Sequence, residues 1–119
     1  MTSVLNVDTI ADKAGTGPVT LTKQQAAKAW ADTNATGTTV NDSFNLSSLT
    51  DTSTGQQTFN FSTSFSNSSY CSLITVRENI NQIWIEDSNK ATGSAQGRAF
   101  TGSAYSDKSQ DVLFAGDLA

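Results

Sequence analysis

The side chains able to do chemistry are few in this chain, and their spacing gives them little to do. Its 119 residues include no histidine, which removes the commonest general base and metal ligand. The single cysteine, Cys71, lies between Tyr70 and Ser72 with no partner to activate it, so it reads as a small buried hydrophobe. Gly15-Thr16-Gly17 lacks the lysine and hydroxyl of a phosphate loop and runs straight into Pro18. Glu86 and Asp87 are adjacent, so on a strand they point to opposite faces, whereas a glycosidase needs two carboxylates facing each other across a cleft. Arg77-Glu78 reads as a solvated strand end. Asn41-Asp42 and Asp51 carry calcium-type oxygens, but in stretches whose composition is that of turns. No catalytic, cofactor-binding or metal-binding residue is assigned. The expectation is a non-enzymatic protein with no cofactor.

What must be positioned, then, is surface. Sixteen Ser, 17 Thr and 9 Asn make up 42 of the 119 residues. Such side chains compete with helix through local backbone bonds, and Thr fits strands. Charged residues are only 15% and hydrophobic ones 36%, a balance that favours one ordered β-rich domain over a disordered chain. The net charge is −4 with a pI near 4.4, and the basic residues are scattered. Nucleic acid needs a concentrated basic stripe and is not expected as a partner. No apolar run reaches membrane-spanning length, so membrane insertion is not expected. The first residues lack the charged and apolar regions of a signal peptide, which predicts synthesis in a cytoplasm without export by that route. One cysteine excludes an intrachain disulfide. Five Asn-X-Ser/Thr triplets, from Asn34, Asn41, Asn45, Asn60 and Asn67, matter only in a secreted eukaryotic chain.

Along the chain, residues 3–10 read as a strand, and residues 12–18 as a loop. Val19 and Leu21 form a second short extended piece. Thr22-Lys23-Gln24-Gln25 fits a capping box, predicting a turn or two of helix up to Ala29. From Thr38 the pattern is β. Val40, Asp42, Phe44 and Leu46 share one face, and the phase slips before Leu49, predicting a bulge at Ser47-Ser48. After a turn at residues 50–55, Phe59, Phe61 and Phe65 share one face, and Thr58, Asn60, Ser62 and Ser64 the other. These phenylalanines should form a core wall, with Phe44 and Leu46 packing beside them across the hairpin. Ser66–Ser69 is a turn. Tyr70, Ile74 and Val76 then face Cys71, Leu73 and Thr75, so this strand reads as buried on both sides. Ile83 and Ile85 oppose Trp84. Residues 88–97 read as an exposed loop, 98–105 as a weaker strand and 112–115 as a closing one. Trp30 and Trp84 are each compatible with core or with a sugar-binding or subunit-facing surface. The expected architecture is all-β, an antiparallel β-sandwich or small barrel of about seven strands. An extended N-terminal arm (residues 1–21) precedes the sandwich module (residues 22–119).

Two blocks carry a family resemblance. Leu5 to Pro18, LNVDTIADKAGTGP, resembles the opening of marine bacteriophage fibre-type structural proteins. Ala27-Lys28-Ala29-Trp30, Gly37 to Val40, Ser43 to Asp51 and Thr58 to Phe61 are similar, in that order, to a globular module of phage tail-fibre-like proteins. Val112 to Ala119 is similar to that module's last strand. No shaft repeats separate the blocks, so one copy resembles a compact knob rather than a long fibre. The resemblance implies a homotrimeric virion protein on the particle exterior, made in the host bacterial cytoplasm. It would serve host contact or tail architecture; the alternative is a capsid decoration protein that stabilises the shell. Residues 1–18 would dock on other virion proteins by strand addition. The hydroxyl- and amide-rich sheet would meet sister subunits or a host surface glycan. No site residues carry over.

Overall fold

The computed structural model describes residues 27–119, which form eight strands and a single 3₁₀ turn at Asp87–Asn89. The strands are β1 (Ala29–Thr33), β2 (Val40–Phe44), β3 (Leu46–Ser53), β4 (Gln56–Phe61), β5 (Cys71–Thr75), β6 (Gln82–Ile85), β7 (Ser94–Phe100) and β8 (Asp111–Ala115). They build two antiparallel sheets, ordered β2-β1-β8-β5 and β3-β4-β7-β6. The two stack as a β-sandwich, with eight strands rather than about seven. The arm (residues 1–21), its docking segment (residues 1–18), the strand at 3–10 and most of the capping-box segment lie outside the described residues. Ala29 opens a strand, which corrects the expectation that helix reaches it.

The core is aromatic. Phe59, Phe61, Phe65, Tyr70 and Phe114 are all buried. The Phe61 ring lies 5.0 Å from Phe65, 5.1 Å from Phe114 and 5.8 Å from Tyr70, each edge-to-face, the arrangement that the ring quadrupole favours. The three-phenylalanine wall read from the sequence is therefore in place. The Tyr70 hydroxyl reaches the carbonyl oxygens of Ala91 and Ser94, at 2.9 and 3.0 Å. Burial pushes its pKa up to about 12.

The residues 88–97 expectation fails at β7. Ser94–Phe100 is a strand running between β4 and β6, and Ala95, Gly97 and Ala99 form its buried face. Small residues are needed there because the opposite sheet and the Phe59 ring of neighbouring β4 both come close. A Cβ on Gly97 would lie 3.0 Å from Ile74 Cδ1 and 3.2 Å from Phe59 Cε2, besides striking the Gln110 amide. An apolar face made of alanine and glycine gives no hydrophobic period to read. β1 was missed for the same reason, its buried face being Ala29, Ala31 and Thr33.

The predicted single strand from Val40 to Leu49 is broken at Asn45. That residue takes a left-handed φ of 54°, a conformation asparagine tolerates better than most. Its side chain holds the break, donating to the carbonyls of Lys28 and Thr63 (both 3.0 Å) and accepting from the Thr63 amide at 2.7 Å. The chain thereby leaves one sheet and enters the other. Beyond the break, the β3–β4 register shifts between Leu46 and Ser48, where the bulge was expected. Leu46 packs on the aromatic cluster. Phe44 does not: it is 53% exposed, on the outside of the other sheet.

Candidate functional site

The outer face of the first sheet carries one apolar row. Strand alternation buries Ala29, Ala31 and Thr33 and turns Trp30 outward; likewise Val112 and Phe114 go inward and Leu113 outward. Trp30 is paired with Phe44 on one side and Leu113 on the other, and Leu113 is paired with Leu73. Phe44, Trp30, Leu113 and Leu73 thus cross all four strands, about 15 Å at ordinary strand spacing. Leu73 is 61% exposed and Leu113 40%. This is the reverse of the expected burial of β5 on both sides, and Cys71, on the same face, is exposed rather than buried. The reason is that β5 is an edge strand covered only on its inner face, where Tyr70 and Ile74 meet the core.

One long side of that row is flanked by charge, beside Trp30 on β1 and Leu113 on β8. Arg77 bridges Asp32 at 2.9 Å and Asp111 at 3.3 Å, and also donates to the Thr33 carbonyl. Arg77 is thus engaged rather than merely solvated. Its neighbour Glu78 accepts the Ser109 hydroxyl at 2.6 Å and the Ser109 amide at 3.1 Å. Burial pulls the Glu78 carboxyl upward, but these donors, helped by Lys108, outweigh it and hold the group below its usual range.

The sheet edges are unequal. β2 and β3, on one side, carry register shifts and the acids Asp42 and Asp51. β5 and β6, on the other, hold no charged residue and keep an unbroken register. Bulges and charges are the usual protection of an open edge, and the β5/β6 side has neither.

The second sheet's outer face is polar, as the alternation of β4 predicts. Asn60 donates to the hydroxyls of Thr50 (2.9 Å) and Ser48 (3.1 Å), and Thr58 meets Thr52 at 3.0 Å. Its β6/β7 corner is different. Trp84 lies opposite Arg98 and 6.3 Å from the Tyr105 ring, which in turn packs edge-on against Phe100 at 5.5 Å. Beside Trp84 is a cleft of about 560 Å³ lined by Asn81, Gln82, Ile83 and Trp84. Glu86 accepts the Trp84 indole N–H at 3.2 Å and pairs with Arg98 at 3.1 Å. These partners, the indole first and then the Ser88 hydroxyl, hold the Glu86 carboxyl below its usual range.

Both tryptophans therefore stand half-buried on outer faces, and neither belongs to the core cluster. The sequence left this open for each. Glu86 and Asp87 do not converge: Glu86 pairs with Arg98, and Asp87 starts the 3₁₀ turn. Among the described residues no three His, Cys, Asp or Glu side chains gather as a metal site would require, and no helix is long and apolar enough to cross a membrane. No family model, curated protein or solved structure matches the chain.

Proposed function

We propose that this chain is a non-enzymatic bacteriophage virion protein, a trimeric tail-fibre-like or tip protein on the particle exterior. The observation that carries the reading is the Phe44–Trp30–Leu113–Leu73 row. A contiguous apolar row on an otherwise polar surface is what a protein contact requires. It ends at β5, whose edge is undefended, so sister subunits meet on this face and along this edge. The aromatic core and the Asn45 crossover make a rigid two-faced slab. One face serves assembly and the other, polar face remains available for host contact. The resemblance of Leu5–Pro18 to fibre-type openings assigns attachment to residues 1–18.

The test is made on purified particles of the virus that encodes the protein. Quantitative mass spectrometry should find the chain in a handful of trimers per particle, and deletion of residues 1–18 should abolish incorporation. Hundreds of copies would make it a capsid decoration protein instead. Absence from particles, or normal occupancy of the truncated chain, would overturn the proposal or its attachment segment respectively.

A further inference from the structure

We infer that the β6/β7 corner of the second sheet is a binding site for a neutral oligosaccharide. Its centre is the Trp84 indole, half-buried beside the open cleft and backed by Tyr105 at 6.3 Å. The C–H bonds on one face of a pyranose carry partial positive charge and meet the negative face of an aromatic ring. Sugar hydroxyls both donate and accept; a side-chain amide offers a donor and an acceptor side by side, and a guanidinium adds donors. Here Gln82 and Asn81 line the cleft, and Arg98 stands directly opposite Trp84.

The indole and the guanidinium are fixed before any ligand arrives. The indole N–H is held by Glu86 at 3.2 Å. The guanidinium donates Nε to Gln96 at 3.1 Å and Nη1 to Glu86 at 3.1 Å. Gln96 is held in turn by Asn89 at 2.8 Å. A constellation locked in this way loses little side-chain freedom on binding, which is how a shallow site gains affinity. The charge decides the class of sugar. Glu86 and Arg98 neutralise each other, and a chain of net charge −4 repels acidic glycans. The cleft takes an uncharged sugar. The inference deepens the host-contact part of the proposed function and rests on it only for where the sugar comes from.

Affinity electrophoresis of the full chain through gels containing a β-glucan, an α-mannan or a galactan tests this, with alginate as the acidic comparison. Retardation by at least one neutral polysaccharide is expected. It should weaken at least tenfold in Trp84→Ala and in Tyr105→Ala, whereas Asn67→Ala, in the exposed turn before β5, should bind as wild type. Tyr105 lies in an exposed loop, so its variant reports on binding even where Trp84→Ala folds poorly. Retardation by no neutral polysaccharide, by alginate alone, or equally in wild type and Tyr105→Ala would overturn the site. A chain that enters particles but binds no sugar loses only this inference. One that binds sugar but is absent from particles loses only the virion reading.

Discussion

Phe44 and Leu46 are two residues apart and belong to opposite sheets: Phe44 is paired with Trp30, and Leu46 with Phe61. The pairing with Trp30 puts Phe44 on the outer face of the first sheet, where it begins the apolar row, while Leu46 packs on the core. The hinge is Asn45, with its left-handed φ of 54° and its bonds to Lys28 and Thr63. Asn45→Ala should lose about 2–3 kcal/mol, from hydrogen bonds and from left-handed strain together. Asn45→Gly keeps the backbone conformation and should lose less. Urea midpoints for the two variants check this; a glycine variant less stable than the alanine one would contradict it.

Phe61 sits at the centre of the aromatic cluster, in edge contact with three rings. Phe61→Ala should cost roughly 3–5 kcal/mol, through lost transfer energy and a residual cavity. The side chain of Asn60, its neighbour on the outer face, bonds only to exposed Ser48 and Thr50. Asn60→Ala should shift stability by about 0.5 kcal/mol or less. Thermal unfolding of both variants is the check, and a Phe61→Ala protein as stable as wild type would mean β4 is inside out.

Stability should fall at both pH extremes, for different reasons. Glu78 and Glu86 titrate below the ordinary glutamate value in the fold. Their contribution is therefore present above the unfolded carboxylate value and lost as pH falls through the lowered folded ones. Ser109→Ala removes the hydroxyl donor to Glu78, leaving the backbone amide, and should partly flatten this acid limb. Tyr70 is raised from 10.0 to about 12. Its contribution is full below pH 10.0 and lost as pH rises towards about 12. Tyr70→Phe should remove that alkaline loss while lowering stability by about 1 kcal/mol at neutral pH. Denaturation curves across pH test both limbs; identical alkaline limbs in wild type and Tyr70→Phe would contradict the second.

The all-β class and the sandwich were legible because Phe59 and Phe61 alternate cleanly with polar residues, and because Val112 to Ala115 is a short apolar run of strand length. β1 and the first part of β7 were not legible, since their inward residues are alanine, glycine and threonine; only Arg98–Phe100 of β7 fell within the strand read at 98–105. Sheet membership was also hidden. Val40 to Leu46 keeps one alternation through Asn45, and nothing in the local pattern says that a single left-handed residue moves the chain between layers. The candidate sites needed that knowledge. Trp84 could be placed opposite its isoleucines from spacing alone. The partnership of Trp30 with Phe44, Leu113 and Leu73 joins residues from four strands and exists only in the folded register.

Sedimentation velocity at micromolar concentration tests the central claim most directly, with full-length wild type run beside the Leu73→Ser/Leu113→Ser double variant. Both leucines are largely outside the core, so the fold should survive their replacement. Wild type should sediment as a stable trimer and the double variant as a folded monomer with an unchanged circular dichroism spectrum. A wild type that remains monomeric, or a double variant that stays trimeric, would contradict the claim that the Phe44–Trp30–Leu113–Leu73 row is the contact between subunits.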